Sequence, residues 1–364
     1  MISTAPKSAL LPQKPHRSPQ KPHAVPSTEA NLRRLVAGFA HPQHGRAVWQ
    51  LVNTLLPFLG LWTLMVASIE WGWSYGWTLL LALPTAALYV RLFIIQHDCG
   101  HGSFFANRRT DHVVGAALGL ITLFPFGYWK KTHAIHHATS GNLDRRELGD
   151  VETLTLREYQ ALSWHRRLAY RFYRSAPALL VIGPAYQFLI KHRFPFDIPF
   201  SWKKEWASVL WNNLALVVAG TVLVRTIGWH PILLVHVPVV LIAGAVGIWL
   251  FYVQHQFEGA YWERQENWSA DEAALHGSSF FDLPRWAHWL TGNIGYHHIH
   301  HLASKVPNYR LRECYESNAL LQRAPRITFI SSLRCARLKL WDEDAKRLIP
   351  FPRGTRREKL PAAA

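Results

Sequence analysis

The residues able to do chemistry in this chain are nine histidines. Eight fall in three short runs: His97 and His101 in H-D-C-G-H, His133, His136 and His137 in H-A-I-H-H, and His297, His300 and His301 in H-H-I-H-H. The ninth, His255, stands in Q-H-Q. Residues three and four apart share one face of a helix, so each run can aim two or three imidazoles at a single point. Imidazole is uncharged near neutral pH and offers a free nitrogen, which makes it the commonest metal ligand. One tetrahedral zinc takes four ligands. Eight or nine imidazoles therefore suit two metal ions.

Four long apolar runs must position these histidines. Hydrophobic residues make up 49% of the 364-residue chain, charged residues only 17%, and there are 17 tryptophans; soluble domains carry about a quarter charged residues. The runs at about 48–69, 75–95, 207–224 and 232–253 are each near the ~20 residues that cross a hydrocarbon core. Arg91, one turn from the inner end of the second run, is expected to snorkel to water. Asn212 and Asn213 in the third are expected to face protein. The fold class expected is an all-α integral membrane protein, with four transmembrane helices in two hairpins and a helical cytoplasmic cap carrying a histidine-ligated di-metal site.

Lysine and arginine set the expected orientation. The connection 70–74 has no basic residue and 225–231 has one. Nearly all the remaining basic residues lie before Val48, between His101 and Lys204, or after Val253, which the positive-inside rule makes cytoplasmic. Both termini and all nine histidines then share the cytoplasmic side, with His97 and His101 following the second span and His255 the fourth. Two shorter apolar stretches, 113–128 and 176–190, are read as interfacial, because a single extra crossing would split the histidines between sides.

Residues 1–45 are expected to be a disordered, basic, proline-rich segment and 341–364 a flexible tail, flanking a membrane domain over 46–340. No early apolar run suggests a secretory signal. The net charge of +17 is accounted for by topology, so no nucleic-acid partner is expected, although basic termini suit anionic membrane lipids. The three cysteines, Cys99, Cys314 and Cys335, have no C-x-x-C spacing and imply neither a disulfide framework nor an iron–sulfur cluster. No Glu-x-x-His pair occurs, which excludes a carboxylate-bridged di-iron bundle of the ferritin-like kind.

The three runs resemble the histidine boxes of the membrane fatty acid desaturases. F-I-I-Q-H-D-C-G-H-G-S-F-F from Phe93 resembles the first box of the branch with the omega-6 (Δ12) and omega-3 enzymes. Y-V-Q-H-Q-F-E-G-A-Y-W from Tyr252, L-T-G-N-I-G-Y-H-H-I-H-H-L from Leu290 and P-N-Y-R-L from Pro307 extend the likeness over roughly residues 45–340. The resemblance implies a di-iron enzyme that uses O2 and two external electrons to insert a cis double bond, Δ12 by overall likeness, into a membrane-associated acyl chain. It implies as ligands His97, His101, His133, His136, His137, His297, His300 and His301, with His255 where the wider superfamily often supplies one more. His298 becomes the extra histidine at a spacer position, structural or behind the ligands.

The metals would carry the hard step, so no side chain is expected to serve as acid or base on an unactivated methylene. Asp98, Asp144, Asp150, Glu258 and Asp282 are candidates to accept the second ring proton of ligand histidines. Asn293 is a candidate to hold a metal-bound water. No flavin, nicotinamide or fused cytochrome b5 motif is visible, so a separate ferredoxin or cytochrome b5 is the expected electron donor. The same boxes would also serve an acyl hydroxylase, an epoxygenase or an omega-3 desaturase. A membrane metal transporter or sensor is the non-enzymatic alternative, disfavoured because its ligands belong near the bilayer midplane. The localisation expected is a bacterial inner membrane.

Overall fold

The computed structural model describes residues 28–146 and 148–352 of the chain. Four helices in it have the length and apolarity to cross a membrane: α2 (His44–Glu70), α3 (Tyr75–His101), α9 (Lys203–Ile227) and α10 (Trp229–His255). They coincide with the four apolar runs of the sequence and extend one or two turns beyond them. α2 and α3 form one hairpin, joined through Trp71 to Ser74, and α9 and α10 a second, joined at Gly228. The Tyr75 hydroxyl donates to the Leu234 carbonyl (3.0 Å), which sets the two hairpin tips side by side. The opposite ends of α3 and α10 carry His97, His101 and His255. Exposed Leu56 and Leu59 on α2, and Leu210, Leu214, Val217, Val218 and Val222 on α9, leave an apolar outer surface suited to lipid.

Two shorter apolar segments lie between the hairpins. α4 (Arg108–Ile121) and α5 (Phe126–Thr139) are bent by 104° at the break between them. α4 begins seven residues after α3 ends, and α5 returns its histidines to the same end of the molecule, where His101 and His137 rings lie 4.8 Å apart. The pair therefore enters and leaves on one side. The break exposes backbone carbonyls that water could not satisfy inside a bilayer, and such backbone persists only where protein covers it. Here Gln96 Nε2 donates to the Phe124 carbonyl (3.1 Å), Arg193 Nη2 to the Leu123 carbonyl (2.6 Å) and Asn212 Nδ2 to the Gly119 carbonyl (3.2 Å). Arg193 Nη1 in turn donates to Asn212 Oδ1 (3.0 Å) and Asn213 Oδ1 (2.8 Å), so both asparagines face protein as expected. The second segment, α8 (Ala178–Lys191), is a short helix of mixed α and π turns packed on α10.

A cap of short elements covers the histidine end: α1 (Thr28–Ala37), α6 (Leu156–Ala161), α7 (Trp164–Tyr173), α11 (Ala270–His276), α12 (Arg285–Leu290), α13 (His297–Leu302), α14 (Asn308–Glu316) and α15 (Phe329–Cys335). Strands β1 (Phe280–Asp282) and β2 (Arg326–Thr328) pair in parallel, and β3 (Leu340–Asp342) and β4 (Arg347–Ile349) pair antiparallel.

Three expectations need correcting. Disorder does not extend to residue 45: α1 buries Leu32 and Val36, four apart on one face, in a cluster with Ile299, Leu302 and Leu311. A low average hydrophobicity concealed that single apolar stripe. The tail from 341 is not free throughout either, because Trp341 and Leu348 are buried in the β3–β4 hairpin; residues 1–27 and 353–364 lie outside the described residues. Arg91 does not snorkel. It is buried, its Nε donates to Thr54 Oγ1 (2.9 Å), Nη1 donates to the Trp289 carbonyl, and its guanidinium lies 3.9 Å from the Trp289 ring centroid. Indole, hydroxyl and carbonyl together replace the water that snorkelling would have supplied.

The Arg193 knot yields a stability prediction. Arg193→Met would strand the Leu123 carbonyl and free both asparagine oxygens, at about 1–3 kcal/mol for each buried group left unsatisfied. A lowered thermal unfolding midpoint in detergent is the expected result; an unchanged midpoint would show that the break needs no cap.

Candidate metal centre

Each ligand-bearing element brings its histidines to the site by ordinary helical geometry. α3 delivers His97 and His101 on its last turn and stops at Gly102, whose φ of 62° is the left-handed conformation that suits glycine. α5 carries His133, His136 and His137, α10 ends on His255, and α13 is built almost wholly from the third run.

All nine rings converge, and they sort into two groups. His97, His101, His133, His137 and His300 offer five nitrogens within 4.8 Å of one another; His136, His255, His297 and His301 offer four within the same limit. Neighbours in sequence are divided between the groups. Consecutive helical residues are about 100° apart, so His136 and His137 point to different groups while His133 and His137, one turn apart, share one. His297 and His301 likewise share the second group and His300 joins the first.

The nitrogen spacing suits an ion. Within the first group His137 Nε2 lies 3.1 Å from His133 Nε2 and 3.0 Å from His300 Nε2. Within the second, His297 Nε2 lies 2.9 Å from His255 Nε2 and 3.1 Å from His301 Nε2. Two nitrogens bound at about 2.1 Å and subtending 90–110° at one ion stand roughly 3.0–3.4 Å apart. The buried Nε2 atoms of His101 and His136 have no hydrogen-bond partner. Orphaned buried nitrogens are costly unless something binds them, and a metal ion would supply the missing partner. Burial, reinforced by the neighbouring imidazoles, holds His297, His300 and His301 well below the usual imidazole pKa, which keeps them neutral with lone pairs free.

Carboxylates stand one bond behind the rings. Asp98 Oδ1 accepts from His97 Nδ1 at 3.0 Å, and Asp150 Oδ1 accepts from His136 Nδ1 at 2.6 Å. Each contact fixes the proton on Nδ1 and turns Nε2 inward. Asp98 Oδ2 receives the Asn308 backbone N–H (2.6 Å) and side-chain amide (2.9 Å), and Asn308 Oδ1 accepts from Gln50 Nε2 (2.8 Å). This chain ties α2, α3 and α14 to the first group. Asp150 is placed by Gly149, whose φ is 86° and whose Cα approaches so closely that an added Cβ would lie 2.8 Å from His136 Cβ. His255 Nδ1 faces the Gly277 carbonyl at 3.3 Å.

The other candidates lie elsewhere. Glu258 is exposed and 3.5 Å from Arg347, Asp144 pairs with Arg264 at 2.7 Å, and Asp282 pairs with Arg326. Asn293, at φ 56°, donates to the Asn308 carbonyl (3.1 Å), one step behind Asp98 rather than at a metal. His298 joins neither group. It is fully buried beside Phe280 and Tyr315, pushed down to about 4 by that burial, because its helical position turns it away from His297 and His301. The sequence reading missed Asn308 and Gln50 in the Asp98 chain and Trp129, which stacks on His133 at 4.5 Å and 17°. P-N-Y-R-L held a signal for Asn308; nothing local marks the other two.

Residues 71–330 match the family model described as fatty acid desaturase. The chain belongs to the fatty acid desaturase family. It is 46% identical over 323 residues to a fatty acid desaturase of Bacillus subtilis, an alignment covering 89% of this chain and 91% of that one. A more distant relative is the sn-1 oleoyl-lipid 12-desaturase of Anabaena variabilis, 27% identical over 76% of this chain and 77% of its own. Another is the sn-1 acyl-lipid omega-3 desaturase (ferredoxin) of Synechocystis, 28% identical over 65% of each chain. Membership makes this desaturase an oxidoreductase of acyl chains, and its two histidine groups at the ends of membrane-length helices are compatible with a metal site of that class.

For this desaturase the carboxylate contacts separate true supports from bystanders. Asp98→Ala and Asp150→Ala should each lower metal affinity about 10–100-fold, the usual loss when the partner of a ligand histidine is removed. Glu258→Gln should leave it unchanged. Metal retained per chain after graded chelation measures this, and an equal effect of all three would refute the assignment.

Proposed function

We propose that the chain binds two irons, one in each histidine group, and uses O2 to insert a cis double bond into an acyl chain of a membrane lipid. The observation that carries this reading is the pairing of a five-nitrogen and a four-nitrogen group, both lacking carboxylates among the described residues, at the ends of membrane-length helices. Imidazole sets suit several first-row metals; the likeness to the desaturase family is what favours iron. When bound, the irons supply the activation of O2 needed to remove hydrogen from an inert methylene.

The residues of the chain hold, orient and shield. Asp98 and Asp150 keep the Nδ1 protons of His97 and His136 in place. Trp129, stacked on His133, and Phe251, 5.1 Å from His136, put apolar walls beside the ligands and restrict water. A cavity of about 520 Å³ is lined by His137 and His301 together with Arg33, Lys305 and the apolar Ala37 and Leu302. His137 and His301 belong to different groups and stack at 4.2 Å and 23°. This opening beside both groups suits delivery of electrons by a separate protein. Ferredoxin is the preferred donor, since the Synechocystis relative is named for it; cytochrome b5 is the other. The distribution of basic residues supports a cytoplasmic site and cytoplasmic termini, in a bacterial inner membrane. Δ12 on oleoyl groups is the regiochemistry taken forward, on the likeness to the Anabaena 12-desaturase.

The test is a fatty acid profile by gas chromatography–mass spectrometry. The host makes only saturated and monounsaturated lipids and co-expresses a ferredoxin; His136→Ala serves as control. A new diunsaturated C18 product, absent from the control, is the expected result, and derivatised fragments locate the bond. A bond at another carbon would replace Δ12 while keeping the desaturase. Hydroxylated product in its place would move the reaction from desaturation to oxygen insertion.

A further inference from the structure

Arg174, at the end of α7, is a fully buried guanidinium with no carboxylate among its hydrogen-bond partners. Nη1 donates to the Glu152 carbonyl (2.8 Å) and Thr153 Oγ1 (3.0 Å). Nη2 donates to Gln256 Oε1 (2.8 Å), the Tyr252 hydroxyl (3.2 Å) and the Leu338 carbonyl (3.2 Å). Burying an unpaired charge is expensive, and an apolar residue of similar volume would fill the same space at lower cost. What an apolar residue lacks is a rigid fork of donors able to hold two segments at a fixed separation.

The two segments are informative. Glu152 and Thr153 lie two and three residues after Asp150, the carboxylate that orients His136. Gln256 adjoins His255, and Tyr252 lies one turn before it on α10. His136 and His255 both belong to the four-nitrogen group. The two glutamines of Q-H-Q act as a pair of stays. Gln254 Nε2 donates to the Ile294 carbonyl (3.0 Å), three residues before His297, while Gln256 receives Arg174. No partner of Arg174 adjoins a histidine of the five-nitrogen group. A chain with a helix end as the sole support of His255, and a loop as the sole support of Asp150, would let both drift by more than the few tenths of an ångström that a metal site tolerates.

We propose that Arg174 is a positioning residue for the four-nitrogen group, locking the end of α10 to the loop after Asp150 so that His255 and His136 converge on one ion. The proposal rests on the reading that each group holds a metal. It predicts an asymmetric defect: loss of the fork weakens one site and spares the other.

The test uses purified full-length wild type, Arg174→Lys and Arg174→Met grown with 57Fe. Iron per chain, Mössbauer spectra and unfolding midpoints are recorded together. Arg174→Lys keeps the charge and the aliphatic stem, so it guards against a misfolded methionine variant, yet one ammonium cannot span both segments. Affinity at the four-nitrogen site should fall about 10–100-fold. Iron should drop from about two towards about one per chain, leaving the spectrum of an isolated ion in the five-nitrogen site. Retention of both irons with a wild-type spectrum would overturn the proposal. Loss of both in step with a lowered midpoint in the lysine variant would also overturn it, assigning Arg174 to general stability. A wild type without two irons would overturn the two-metal reading, and this inference with it.

Discussion

Everything in this molecule answers to the convergence of nine imidazoles at one end of a membrane-length bundle. Imidazoles repel once protonated and lose hydration when buried, so the cluster is unfavourable until the rings are neutral, fixed in tautomer and supplied with something to bind. The structure shows a device for each of the first two conditions. Burial keeps the α13 rings deprotonated, and Asp98 and Asp150 hold protons on the outward nitrogens of His97 and His136. The inward nitrogens that remain without partners, on His101 and His136, are what a metal would satisfy.

The membrane explains the architecture around that cluster. Ionisable groups cannot be held cheaply in hydrocarbon, so the histidines occupy helix ends while the apolar middle of each helix faces lipid or its neighbours. One element has to break this division. The α4–α5 pair turns through 104° to bring three ligands back to the site, and its exposed carbonyls are met by Gln96, Arg193 and Asn212 from three other elements. Polar residues within apolar runs here serve as caps for a bent backbone. Arg91 follows the same logic, finding Thr54 and Trp289 where water is out of reach.

Two levels of support lie behind the ligands, and they differ between the groups. The five-nitrogen group is braced by a hydrogen-bonded chain, Gln50 to Asn308 to Asp98, that crosses from α2 through α14 to α3. The four-nitrogen group depends on a short loop, pressed against α5 at Gly149, and on the last turn of α10. That difference in anchoring is physical: Asp98 sits within α3 and is held by its backbone ladder, while Asp150 sits in a loop that needs side chains to fix it.

By itself the sequence marked the nine candidate histidines, the four membrane-length helices and the helix ends to which the histidines belong. These depend on local quantities, namely helical spacing, run length and the placement of basic residues. It did not determine how nine histidines divide into five and four, because that follows from the roll of three helices about axes set only by packing. It did not distinguish Asp98 and Asp150 from Asp144, Glu258 and Asp282, because spacing does not say which carboxylate faces a ring: Asp98 meets the adjacent His97 and is held by Asn308 210 residues away, and Asp150 meets His136 across 14 residues, while the others pair with arginines. Arg174 carried no local signal at all. Its role exists only where α7, α10 and the loop after Asp150 meet, and that meeting is a property of the tertiary structure.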